Sequence, residues 1–204
     1  DPMAAVPSQA FARVVFVDCE TNGTGTELLD FGAADTAGDV LHSTTPEAIR
    51  SFIGDARFLC GHNVFALDKR FTTALTGLVP GGHAWIDTLA LSVLLFPQKR
   101  FHALLKDEKL LTGEMNNQAT DALKARDLFF EELTAWQKLA PAVRTILAAL
   151  LSRDIRYRWF FAYAGETPAE DSAENLARTI REAFPDAFCA NANLPLLIKT
   201  KPAD

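Results

Sequence analysis

The stretch VVFVDCETNG, residues 14–23, decides how this chain is read. Four apolar residues, Val14 to Val17, run directly into Asp18, Cys19 and Glu20. A run this short and apolar, closed by a Thr-Asn-Gly turn signal, reads as a buried strand. Strand side chains alternate between faces, so Asp18 and Glu20 point one way and Cys19 the other, into the core. Two carboxylates on one face repel unless positive charge sits between them, from a basic side chain or a metal ion. Taken alone, the pair is equally well a solvated strand end. The C-terminal edge of strands in an open α/β sheet is also where ligands bind.

Working outward, LLDFGAAD and DVLHS read as two more strands joined by TAG, so a meander opens the fold. Thr45 as N-cap, Pro46 at the first position and Glu47 in the first turn start a helix that carries Ile49, Phe52 and Ile53. RFLCGHN is a fourth strand ending in a Gly-His-Asn corner, and a helix through Asp68 and Phe71 should follow. AWID is a short fifth strand, and TLALSVLLF is a helix stopped by Pro97. A long helical pattern then runs through Ala122, Ala125, Leu128, Phe129, Leu133 and Trp136 to Pro141. The fold class is therefore α/β, a mixed sheet flanked by helices, with a helical C-terminal extension.

We divide the chain into an N-terminal segment, 1–12, expected to be flexible, a domain over 13–138 and a helical extension over 139–204. Asp1 and Pro2 ahead of Met3 read as an added leader, with Met3 the native start. In the extension, AVRTILAALL and DSAENLARTIREAF are helical, the second with an Asp-Ser-x-Glu start. RDIRYRWFF mixes three arginines with aromatics; it either stacks on bases or packs Tyr157, Trp159 and Phe160 inward, the second being favoured. The last stretch, FCANANLPLLIKTKPAD, shows no closing element, so the chain reads as cut from a longer protein.

Composition narrows the function. The 204 residues are 49% hydrophobic, enough for a real core, and carry a formal net charge of -6. A non-specific nucleic-acid coat protein would be basic; an acidic chain can grip phosphates only if metal ions supply the cations. No apolar run is long enough for a membrane span, and no signal-peptide pattern opens the chain. Cys19, Cys60 and Cys189 lack metal-ligand spacing and read as reduced thiols of a cytoplasmic protein.

Further carboxylates gather toward the first strand's edge. Asp68 follows the CGHN corner by five positions and would sit in the first turn of the next helix. Asp121 opens the long helix within NNQATDALKA. Asp18, Glu20, Asp68 and Asp121 converge only if strands one and four lie side by side. Burying unpaired charges costs several kcal/mol each. Two divalent cations, Mg²⁺ or Mn²⁺, would resolve the repulsion with hard oxygen ligands. Such a pair, about 4 Å apart, can hold a phosphodiester and activate water.

FVDCETNG, CGHNVFALDKRF and NNQATDALKARDLF resemble, in order, the three exonuclease motifs of the DnaQ-like (DEDD) family of 3′–5′ exonucleases. The resemblance covers about residues 13–138 and is strengthened by DTLALSVLLFP between the second and third motifs. It implies a ribonuclease H-like fold with strand order 3-2-1-4-5, and two-metal hydrolysis of nucleic acid from the 3′ end. By matching position it makes Asp18, Glu20, Asp68 and Asp121 the metal-binding and catalytic acids. It puts Asn63 near the site, steadying the corner. The segment from Asp87 to Phe129 is also similar to exonuclease domains fused ahead of superfamily-2, RecQ-like helicases, which implies a covalently attached helicase as partner.

The chain departs from the family at one position of consequence. Where family members place a general-base His or Tyr, Asn116 and Asn117 stand here. An amide takes no proton, and a positioned base contributes about 10²–10⁴ in rate. Asn116 can still orient water. His102 is the nearest substitute base, though a packing role suits it better. Thr21, Asn22 and Gly23 could touch the terminal nucleotide through their backbone, or form a plain turn. His62 could line the substrate site, and is more readily a structural corner residue. Lys99, Arg100 and Lys106 fall near the substrate edge or form a solvated face.

The expected function is therefore a metal-dependent 3′–5′ exonuclease acting on single-stranded or 3′-terminal DNA, slowed by the missing base. One alternative is a catalytically degenerate binding module for nucleic acid or a partner. Another is an RNA exonuclease of the oligoribonuclease or RNase T kind. No membrane partner is expected.

Overall fold

The computed structural model describes residues 12–24, 26–66, 68–77, 82–104, 118–166 and 172–200. The expectations placed on residues 1–11, Lys106, Asn116 and Asn117 fall outside them. The chain divides into two compact units, 1–132 and 133–204.

In the first unit, five strands form one sheet: β1 (Val14–Thr21), β2 (Leu28–Asp35), β3 (Val40–His42), β4 (Phe58–Gly61) and β5 (Ala84–Asp87). Their order is β3-β2-β1-β4-β5. β1 runs antiparallel to β2 and β2 to β3, while β1 pairs parallel with β4 and β4 with β5. The fold is thus α/β with a mixed, open sheet in the order expected. Parallel neighbours need crossovers, and α1 (Pro46–Ile53) and α2 (Asp68–Thr76) lie in those connections. α3 (Thr88–Leu95) and α4 (Gln118–Lys138) follow β5.

The two faces of the sheet are covered differently. Val15, Val17, Leu59 and Trp85 pack with Ile49 and Ile53 of α1, and Cys19 joins the margin of this cluster. On the opposite face, Phe16 meets Phe129 of α4 with ring centroids 5.6 Å apart. α1 starts where expected, but the Thr45 side chain makes no capping bond. Pro46, with its fixed φ, and the Ile49 amide on the Thr45 carbonyl at 3.1 Å begin the helix instead.

The second unit is helical: the end of α4, then α5 (Pro141–Leu151), α6 (Arg158–Tyr163), α7 (Ala173–Ala183) and α8 (Leu194–Lys199). Trp136 packs on Phe160 and Phe161 at 5.7 and 5.2 Å, and both phenylalanines are fully buried. RDIRYRWFF therefore packs its aromatics inward, with Phe161 buried where the periodicity pointed to Trp159. Ser172 caps α7 by accepting from the Asn175 amide at 3.1 Å. α8 lies within the last stretch, where the sequence reading placed no element. Asn193 caps it by accepting from the Leu196 amide at 3.1 Å, and Pro195 occupies its first turn. Leu194 then completes a cluster with Ile146, Leu176, Ala177 and Ile180.

Candidate active site

β1 has its parallel neighbour β4 only as far as the pair Phe16 and Cys60. Beyond that point the strand edge is open, and a side chain takes the ladder's place. The Asp68 carboxylate accepts a hydrogen bond from the Cys19 amide at 2.7 Å. Asp68 therefore sits at the backbone between Asp18 and Glu20. It is buried, and burial pushes its carboxyl up from 3.8 to about 7, against the stabilising bond from Cys19. The Cys19 thiol is pushed well up, first by its own burial, then by the charges of Asp68 and Asp18. A thiol so disposed is no nucleophile.

Helix α4 reaches the same edge from the other side. Gln118 in its first turn donates to the Glu20 carboxylate at 2.6 Å. Asp121 follows one turn later and pairs with Lys124 at 3.4 Å. The approach is possible because residue 32 is glycine. Gly32 on β2 pairs with Asp18, and a β-carbon on it would overlap the backbone of Gln118 and Ala119. The start of α4 thus rests directly on the sheet beside Asp18.

The structure brings Asp18, Glu20 and Asp68 around one amide, and links Glu20 to the helix turn that carries Asp121. Among the described residues, no group of three or more His, Cys, Asp or Glu side chains is arranged to hold a metal ion. A neutral amide, Gln118, satisfies Glu20, and an ammonium group, Lys124, sits on Asp121.

Other expected site residues have structural work. The Asn22 side chain accepts from the Thr26 amide at 2.8 Å and the Thr24 hydroxyl at 3.0 Å, so it organises its own turn. Thr21 ends β1 where the pairing register shifts, and Gly23 is exposed. Asn63 has a left-handed φ of 62°, a conformation Asn tolerates, and its amide donates to Asp87 at 2.9 Å. His62 contacts the Thr88 hydroxyl through Nδ1 at 3.0 Å. Its buried Nε2 has no partner among the described residues, and burial holds its pKa below the usual value. His102 contacts Ser92 through Nδ1 at 2.8 Å.

Sequence reasoning missed several residues. Asp87 accepts from both Asn63 and the Leu89 amide, the latter at 2.8 Å, so it holds the corner after β4 and caps α3. An Asp directly ahead of a helix was the available signal. Asp30 pairs across from Glu20 and is bound by His42 at 2.7 Å. That contact gives Asp30 a hydrogen-bond partner where it faces Glu20 across the ladder. Gln118 was legible only as the residue one turn before Asp121. Glu132 is fully buried, and neither carboxylate oxygen has a partner among the described residues. Burial, with Asp87 second, pushes it up to about 10, so it is a neutral acid at pH 7.

Compared with protein-family models, with curated proteins and with solved structures, the chain finds no match. Among the described residues, no helix is long and apolar enough to cross a membrane.

Proposed function

We propose that the first unit is a metal-dependent 3′–5′ exonuclease of ribonuclease H-like fold, acting on single-stranded nucleic acid with DNA favoured over RNA. The observation that carries this reading is the Asp68 carboxylate seated on the Cys19 amide, between Asp18 and Glu20. Asp68 from α2 reaches the stretch of β1 that carries Asp18 and Glu20, where a parallel sheet edge ends, which is where such sheets bind ligands.

The donor set fits two Mg²⁺ or Mn²⁺ ions, because it is all carboxylate oxygen and one member is buried against its own charge. Asp18, Glu20, Asp68 and Asp121 would hold them. Bound there, the cations supply Lewis-acid polarisation of a phosphodiester and acidify water. The chain's own residues do the rest. The Cys19 amide fixes Asp68, and Gln118 orients Glu20. Asp87 holds the corner at Asn63 that leads into α2. Asn116 stands in the sequence where a base would, and an amide accepts no proton. Hydrolysis should therefore be slow and should rise with pH.

The engagement of Glu20 by Gln118 and of Asp121 by Lys124 favours a second reading, a binding module that holds strands without cutting them. Digestion of 3′-labelled single-stranded DNA and RNA with Mg²⁺, Mn²⁺ or EDTA separates the two. Metal-dependent release of mononucleotides, lost in Asp68→Asn, supports the exonuclease. Strand binding without release in any metal supports the module. Equal activity on closed circular and linear DNA contradicts attack from an end.

A further inference from the structure

The loop after α3 holds an aromatic side chain out of the fold. Phe101 is 83% exposed, the most exposed of the large hydrophobic residues described. Its loop is fixed on both sides. The Lys99 amide donates to the Phe96 carbonyl at 2.9 Å, and His102 contacts Ser92 of α3 at 2.8 Å. The Lys99 ammonium lies 4.3 Å from the centre of the Phe96 ring. Phe101 has no ring contact or cation over it among the described residues. It lines a cavity of about 270 Å³ with Ser92, Lys99, His102, Lys124 and Leu128. Lys124 is also the partner of Asp121, so the cavity adjoins the carboxylate edge.

We propose that Phe101 is a stacking platform for one base of a single-stranded nucleic acid, with Lys99 and Arg100 meeting the flanking phosphates. This rests on the reading that the first unit acts on single strands, and it assigns the part of the strand that the Phe101 loop holds. Charge complementarity selects the occupant. Two exposed cations adjoin the exposed ring in a chain of net charge -6. Every base offers a π-face whatever its identity, so one ring with adjacent cations grips a strand without reading its sequence. An apolar partner helix would need a stripe of apolar side chains, and Phe101 is flanked by Arg100 and His102 instead. The cavity beside the ring is large enough to admit a nucleobase.

The test is equilibrium binding of a fluorescein-labelled twelve-residue oligothymidylate in EDTA and in Ca²⁺, across a salt series. A matched strand lacking bases serves as control. Phe101→Ala should weaken binding to the thymidylate about tenfold or more, as loss of one stacked base does. The same change should leave the abasic strand unaffected, and Phe101→Trp should restore affinity. Lys99→Ala with Arg100→Ala should flatten the salt dependence by about 1.4 in log–log slope for two single-strand phosphates. Unchanged binding in Phe101→Ala overturns the platform, as does an equal loss on the abasic strand. Wild-type protein that binds no strand at all overturns it too. Cleavage with Mn²⁺ is scored separately. Strand binding with the Phe101 effect but no cleavage leaves the platform standing and removes the exonuclease. Cleavage with no Phe101 effect does the reverse.

Discussion

Two of the acids that the first unit buries, Asp68 and Glu132, are treated in opposite ways. At the edge of β1, Asp68 has the Cys19 amide as donor, beside Glu20 with the Gln118 amide and Asp121 with the Lys124 ammonium. Within α4, Glu132 is fully buried and has no hydrogen-bond partner among the described residues. Burial raises the pKa in both places, but to different ends. Asp68 is brought to about 7, where a cation can displace its proton under ordinary conditions. Glu132 is brought to about 10, where it stays protonated and behaves as a polar packing residue. Burial alone drives a carboxyl far up; a donor that holds the charged form limits the rise.

The sharpest break of this comparison is to remove the edge acids. Asp18→Ala or Asp68→Asn should reduce metal-dependent cleavage to the EDTA background. The metal-free fold should stay intact or gain stability as repulsion is relieved, which thermal melting in EDTA would register. Full activity in either variant would detach the carboxylate edge from the chemistry.

Next comes the seat of α4. Gly32→Ala puts a methyl group into the backbone of Gln118 and Ala119. Overpacking of this kind costs about 1–3 kcal/mol. Displacing Asp121 by about 1 Å should lower turnover about 10²-fold. A chevron analysis and single-turnover rates on one preparation would show both effects.

Glu132 supplies the pH test. Its carboxyl is raised from 4.5 to about 10 on folding, so the folded chain holds a proton that the unfolded chain releases. The stabilising contribution is complete below pH 4.5 and falls as pH rises toward 10. Glu132→Gln should flatten that decline in denaturant titrations at pH 5, 7 and 9. Glu132→Met should stabilise the protein at pH 8 by about 1–3 kcal/mol, because it removes a buried polar group with no hydrogen-bond partner among the described residues. A wild-type stability that is flat across this window would place the Glu132 charge in contact with water. Asp68 adds a decline between 3.8 and about 7, which saturating Mn²⁺ should remove by binding the ionised form.

The smallest effect belongs to His42. It is half exposed, and its contact with Asp30 is of the kind worth less than about 1 kcal/mol. His42→Ala should shift the melting temperature only slightly. Any loss of cleavage beyond that shift would show Asp30 pressing on Glu20 once its partner is gone.

The sequence carried much of the sheet, because short apolar runs closed by turn signals are local. VVFVDCE, LLDFGAAD, FLCG and AWID all became strands, and the parallel pairing of β1 with β4 puts the Asp68 segment beside Asp18. What stayed hidden was contact across distance. Nothing near Gln118 says that it will reach Glu20, 98 positions earlier. Nothing near Glu132 says that a carboxyl inside an amphipathic helix will face inward. Helix α8 went unread for another reason. The Asn193 cap and the proline after it were available, but α8 has only six residues, too few for periodicity to speak.

The contact at Gly32 also fixes how the site answers to motion. It is a backbone-to-backbone approach at the first turn of α4, which makes that turn the natural origin for measuring any tilt of the helix. At 1.5 Å of rise per residue, Asp121 lies roughly 4.5 Å along the axis from that fulcrum, and Glu132 roughly 21 Å. A tilt that carries Glu132 through a given arc carries Asp121 through about a fifth of it. Any tilt about that contact therefore displaces the carboxylate end of the helix least.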